Sequence, residues 1–99
     1  MSDVEWLAVR CMSRHPPPPV RGAWKIDWDV AVPRADRVRV KDHTCCCRRV
    51  YYELCQGGGL RFIRRYTRER KRVIVHESTW LPAAKTNEMW TRLLGGEAY

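Results

Sequence analysis

The stretch that decides the fold is Val50 to Val75, "VYYELCQGGGLRFIRRYTRERKRVIV". Three apolar-rich runs are separated by a glycine triplet and by the polar tetrad Arg68 to Lys71, the pattern of a three-stranded antiparallel meander with two tight turns. The strands are expected over Cys45 to Gln56, Leu60 to Thr67 and Arg72 to Thr79.

The glycine turn sets the register, and the register decides which side chains share a face. A three-residue loop over Gly57 to Gly59 places Leu54 opposite Phe62, Tyr52 opposite Arg64 and Val50 opposite Tyr66. A two-residue loop flips the parity and mixes apolar with charged residues, so the longer loop is the expectation. A four-residue turn over Arg68 to Lys71 then sets Tyr66 against Val73 and Arg64 against Val75. One face reads Val50, Tyr52, Leu54, Leu60, Phe62, Tyr66, Val73 and Val75. The other reads Arg49, Tyr51, Glu53, Arg61, Ile63, Arg65, Arg72, Ile74 and His76. Arg64 falls among the apolar residues and must reach an edge, pair with an acid, or signal a different register.

Downstream, "LPAAKTNEMWTRLLGG" carries a proline suited to a first helical turn, helix formers behind it, and glycines at its C-terminal end. Ala83, Met89, Trp90, Leu93 and Leu94 form its apolar stripe, which would cover the apolar face of the meander. Upstream, Val4 to Met12 reads as a strand, with Leu7, Val9 and Cys11 on one side and Trp6 and Ala8 on the other. The polyproline segment His15 to Val20 reads as a stiff connector. "AWKIDWDVAV" then alternates, with Trp24, Ile26, Trp28, Val30 and Val32 on one face until Pro33 ends the strand. A short further strand follows, with Val38 and Val40 inward and Arg37, Arg39 and Lys41 outward. The expected class is therefore α+β: an antiparallel sheet of five or six strands, including a three-stranded meander in the C-terminal half, with one C-terminal helix packed on one face. A single domain over residues 1–99 follows, with N-terminal strands in 1–44, the proline connector in 15–20, and the meander plus helix in 45–99.

Charge is unevenly spread. The formal net charge is +8, and residues 48 to 72 alone hold nine bases against two acids. Such concentration suits a polyanionic partner. Arginine outnumbers lysine fifteen to four, which favours forked or stacked recognition of phosphate and bases, although a GC-rich coding sequence produces the same bias. Five Trp, four Tyr and one Phe argue for a folded domain. The N-terminal residues lack the pattern of a secretory signal, and no stretch has the roughly 18 apolar residues of a membrane helix. Five cysteines, an odd number, fit a reducing cytoplasmic setting better than a disulfide framework.

No catalytic or cofactor motif stands above background. Asp27 and Asp29 with Lys25 are more simply a polar strand face, and no spacing singles out one Cys–His pair for nucleophilic chemistry. Zinc is not favoured: "CCC" offers neither C-x2-C nor C-x4-C spacing, and Cys45 and Cys47 would converge only if the strand bent there. His43, Cys45, Cys47 and Cys55 are the metal candidates, with Cys11 and His15 as a further C-x3-H pair.

The leading expectation is a small, basic, non-catalytic nucleic-acid-binding protein, with DNA the expected partner. Its contact residues would be Arg49, Tyr51, Arg61, Arg65, Arg68, Arg70, Lys71 and Arg72. The competing expectations are an accessory module that binds a protein or a second copy of itself through an exposed apolar, tryptophan-bearing surface, either the Trp24 and Trp28 face or the two sides of the Val4 to Met12 strand, and a small zinc-stabilised module.

Overall fold

In the computed structural model, residues 13–99 are described. The strand expected over Val4 to Met12, and Cys11 with it, lies outside the described residues. Five strands and one helix follow: β1 (Asp29–Val30), β2 (Val38–His43), β3 (Val50–Gly57), β4 (Leu60–Glu69), β5 (Arg72–Glu77) and α1 (Ala83–Leu94). The strands form one sheet in the order β1-β5-β4-β3-β2, with every neighbouring pair antiparallel. The α+β class, the C-terminal meander and the packed C-terminal helix are as the residue pattern predicts.

The register is not. Gly57 pairs with Leu60, so the β3–β4 turn holds two residues, and Leu54 faces Ile63, Tyr52 faces Arg65 and Val50 faces Thr67. Gly58 and Gly59 have φ of 56° and 78°, the consecutive left-handed pair that a tight hairpin turn of primed type requires. Gly57 has a separate task. A Cβ built on it would lie 3.1 Å from Trp80 Cζ3 and 3.3 Å from the Arg37 carbonyl oxygen, so the missing side chain lets the indole settle against the strand. Trp80 in turn stacks on Phe62, with centroids 4.1 Å apart and planes within 7° of parallel.

This one-residue difference exchanges the partners of β4. The helix-side face now carries Tyr52 and Leu54 with Arg61, Ile63 and Arg65, and the opposite face carries Tyr51, Glu53 and Cys55 with Phe62, Arg64 and Tyr66. The β4–β5 turn is likewise two residues, Arg70 and Lys71, between the pair Glu69 and Arg72. Tyr66 therefore faces Val75 and Arg64 faces Glu77, a slide of two positions that leaves the faces of that pair unchanged.

The core lies between sheet and helix. Ile26, Leu54, Ile63, Trp90, Leu93 and Ala98 are buried together, with Trp28, Tyr52, Met89 and Leu94 packed around them. Burial of that many large apolar side chains supplies the main drive for docking α1. Polar contacts fix its seat: Thr86 Oγ1 donates to the Arg61 carbonyl at 2.9 Å, and Trp90 Nε1 donates to Asp42 Oδ2 at 3.0 Å. Asp42 reaches the helix because a bulge between Val40 and Asp42 resets the alternation of β2. Burial raises the Asp42 pKa, but hydrogen bonds from the Trp90 indole, the His43 backbone N–H and Arg14 outweigh it and hold the carboxyl below its ordinary value.

The N-terminal strands are less regular than their alternation predicts. Within residues 23–32, Asp29 and Val30 join the ladder, on β5, while residues 24–26 hydrogen-bond to the segment after α1, with Trp24 N–H to Glu97 O at 2.9 Å and Ile26 N–H to Tyr99 O at 2.7 Å. Ile26 is buried and Trp28 half-buried, but Trp24, Val30 and Val32 stay exposed. Val38 and Val40, expected inward, are exposed on edge strand β2. The chain then has to cross the sheet from the β1 edge to the β2 edge. Residues 31–35 do so over the face carrying Phe62 and Trp80, where Arg34 Nε stands 3.3 Å from Glu77 Oε1. The proline segment packs against the residues that follow α1: Val20 N–H donates to Gly96 O at 2.8 Å, and a Cβ on Gly96 would come within 2.9 Å of Pro18 O.

Candidate nucleic-acid interface

The flipped register divides the expected contact residues into two groups. Arg61 and Arg65 belong to the helix-side face beside Ile63, which is 0% exposed. Arg61 Nη1 donates to Asn87 Oδ1 on α1 at 2.8 Å, and its Nε donates to Gln56 Oε1 at 3.2 Å. The Arg65 guanidinium lies 4.6 Å from the Trp28 ring centroid, and Trp28 packs on Tyr52 at 5.9 Å. The open face expected of Arg61, Ile63 and Arg65 is thus the face that the helix covers, and its two arginines serve packing.

The other six residues gather at the opposite end of the hairpin. Arg49, Arg68, Arg70, Lys71 and Arg72 surround an open concavity of about 750 Å³ with Glu69 as the acid among them. Two features hold its floor: Arg68 N–H donates to Arg49 O at 2.9 Å, and Arg49 Nε donates back to Arg68 O at 3.2 Å. β4 runs two residues beyond Thr67, the residue that closes its ladder with β3 by pairing with Val50, so the β4–β5 turn projects past that ladder. Glu69 faces Arg72 at 3.7 Å, but that arginine side chain is 75% exposed, and such a solvated pair neutralises little.

Beside the concavity an aromatic ledge rises. Tyr51 and Tyr66 stack at 4.8 Å with planes within 9°, and the Arg68 guanidinium stands 5.1 Å from the Tyr51 centroid. Next to it Tyr66 donates its hydroxyl proton to Glu53 Oε1 at 2.5 Å, while Arg64 Nη1 donates to the Tyr66 oxygen at 3.1 Å and pairs with Glu53 at 3.4 Å. Burial, then the hydrogen bond to Glu53, pushes the Tyr66 pKa up to about 12 against the opposing pull of Arg64. The phenol therefore stays protonated and fixed. Arg64, which fits no alternation pattern, is explained twice over: the register differs, and the residue pairs with an acid.

Among the metal candidates, two do not join a site. His43 Nδ1 stands 3.1 Å from Thr44 O, and Cys55 is fully buried on the face opposite the helix, its thiol pushed up to about 11 by desolvation. Cys45 and Cys47 do converge, because the segment leading into β3 is a turn and not the start of the strand, and they meet His15. The sequence offered His15 only through its spacing from Cys11. The tryptophan surface is partly occupied: Trp24 is 51% exposed, yet the Arg92 guanidinium lies 3.8 Å from its ring centroid. Among the described residues, no helix is long and apolar enough to cross a membrane.

Comparison with known proteins gives no match to a family model, a curated protein or a solved structure.

Proposed function

We propose that this chain is a small, non-catalytic nucleic-acid-binding protein that grips DNA with the β4–β5 turn and the concavity behind it. The observation that carries the reading is the convergence of Arg49, Arg68, Arg70, Lys71 and Arg72 around one open hollow on a projecting two-stranded ribbon. A two-stranded ribbon fits the B-DNA major groove, about 12 Å wide, whereas the deep, narrow major groove of A-form RNA excludes side chains. Arginines at the turn reach phosphates and can fork onto guanine, and the Tyr51–Tyr66 ledge offers a flat apolar surface beside them. Arg61 and Arg65, engaged with the helix side, take no part.

Fluorescence anisotropy with a labelled duplex, repeated across salt concentrations, tests the reading. Four or five phosphate contacts predict a log–log salt slope of about −4. Absence of binding at low salt, or a flat salt dependence, excludes it.

A further inference from the structure

We propose that His15, Cys45 and Cys47 hold one zinc ion that fastens the start of the proline segment to the β2–β3 connection. The three ligand atoms lie within 4.8 Å of one another, and His15 Nε2 is 3.0 Å from Cys47 Sγ. With Zn–S about 2.3 Å and Zn–N about 2.0–2.1 Å, adjacent corners of a tetrahedron are separated by roughly 3.6–3.8 Å. The side chains need to move by less than about 1–1.5 Å to accept the ion, a range that rotation about χ angles covers without backbone change.

Two segments far apart in sequence are brought together here by contacts that do not depend on a metal. Cys45 N–H donates to Arg14 O at 2.9 Å, Arg14 forms an ion pair with Asp42, and Ser13 Oγ lies 3.4 Å from His43 Nδ1. His15 is thus laid beside the turn containing Cys46 and Cys47. Cys45 is buried and Cys47 exposed, so the site has a rigid inner ligand and a solvent-facing entrance. Sulfur and imidazole donors in tetrahedral array suit zinc and exclude magnesium or calcium, which take oxygen ligands. Binding forms two Zn–S bonds and one Zn–N bond, and the two thiol protons pass to solvent. The fourth corner is left to water.

The test uses the full chain, purified under reducing conditions without chelator. Elemental analysis is expected to find one zinc per chain. Cobalt(II) titrated into metal-free protein is expected to give a thiolate-to-cobalt charge-transfer band and intense visible bands of a tetrahedral ion at one equivalent. Cys47→Ser and His15→Ala each lose tight binding by at least tenfold, while Cys46→Ser, an exposed neighbour, retains it. A wild-type cobalt spectrum without the thiolate band overturns the proposal irrespective of how any variant folds. So does Cys46→Ser proving as damaging as Cys47→Ser, or a peptide map of unreduced protein that finds Cys45 in a disulfide.

Discussion

Leu54 pairs with Ile63 across β3 and β4, and through that pairing Ile63 becomes the fully buried centre of the sheet–helix core. Phe62, one position earlier, is turned to the opposite face and stacked under Trp80. The location of every arginine on β4 follows from this.

The two-residue turn and the bare strand position before it respond differently to substitution. Gly58→Ala forces a Cβ onto a left-handed φ of 56° in open space, so its expected cost is about 1 kcal/mol, and Gly58→Asn costs less. Gly57→Val adds bulk against the Trp80 ring 3.1 Å away and displaces it from Phe62, at about 2 kcal/mol or more. Urea unfolding at equilibrium gives both numbers. A Gly57 variant as mild as Gly58→Ala removes Trp80 packing as the reason for that glycine.

The glycine triplet also marks the limit of what the sequence revealed. The three strands of the meander, the helix and its stripe of Met89, Trp90 and Leu93 were legible because each rests on a local periodicity that burial then rewards. The register was not, because it turned on which glycine belonged to the loop, and Gly57 stays in the strand on account of Trp80, more than twenty positions away in sequence. Pattern alone preferred to keep arginines off the core face. The structure instead places Arg61 and Arg65 there and accommodates them with Asn87, Gln56 and Trp28, partners that no local rule identifies. Basic residues at the β4–β5 turn were legible, since their position at a polar turn is independent of strand parity. His15 was harder to see, because only the fold brings it from across the proline segment to Cys45 and Cys47.

Arg61→Ala is expected to weaken folding and leave DNA affinity almost unchanged. It removes charged hydrogen bonds to Asn87 and Gln56 and stem packing under α1, at about 1–3 kcal/mol. Urea unfolding together with duplex anisotropy separates the two effects. Intact stability with a large loss of affinity restores the helix-side face as the contact surface.

Alkaline pH is expected to destabilise the protein in two overlapping steps. Burial raises the Cys55 thiol from 9.0 to about 11, and burial with the Glu53 hydrogen bond raises Tyr66 from 10.0 to about 12. Both native groups keep protons that the unfolded chain releases, so their contribution is full below pH 9, declines above it, and is gone past about pH 12. Cys55→Ala flattens the decline between pH 9 and 11, and Tyr66→Phe flattens the part between pH 10 and 12. Thermal unfolding across this range checks both. A Cys55→Ala protein that loses stability as steeply as wild type contradicts the assignment of the first step.

The most direct measurement is the salt slope of DNA binding for Arg70→Ala/Lys71→Ala/Arg72→Ala beside that for Arg37→Ala/Arg39→Ala/Lys41→Ala, which removes equal charge from the β2 side of the molecule. The turn variant is expected to lose about 2 to 3 units of slope and roughly 10- to 100-fold in affinity at moderate salt, while the β2 variant keeps a slope close to that of wild type. Equal losses from both variants reduce the interaction to net charge, and an unchanged slope in the turn variant places the nucleic acid elsewhere on the molecule.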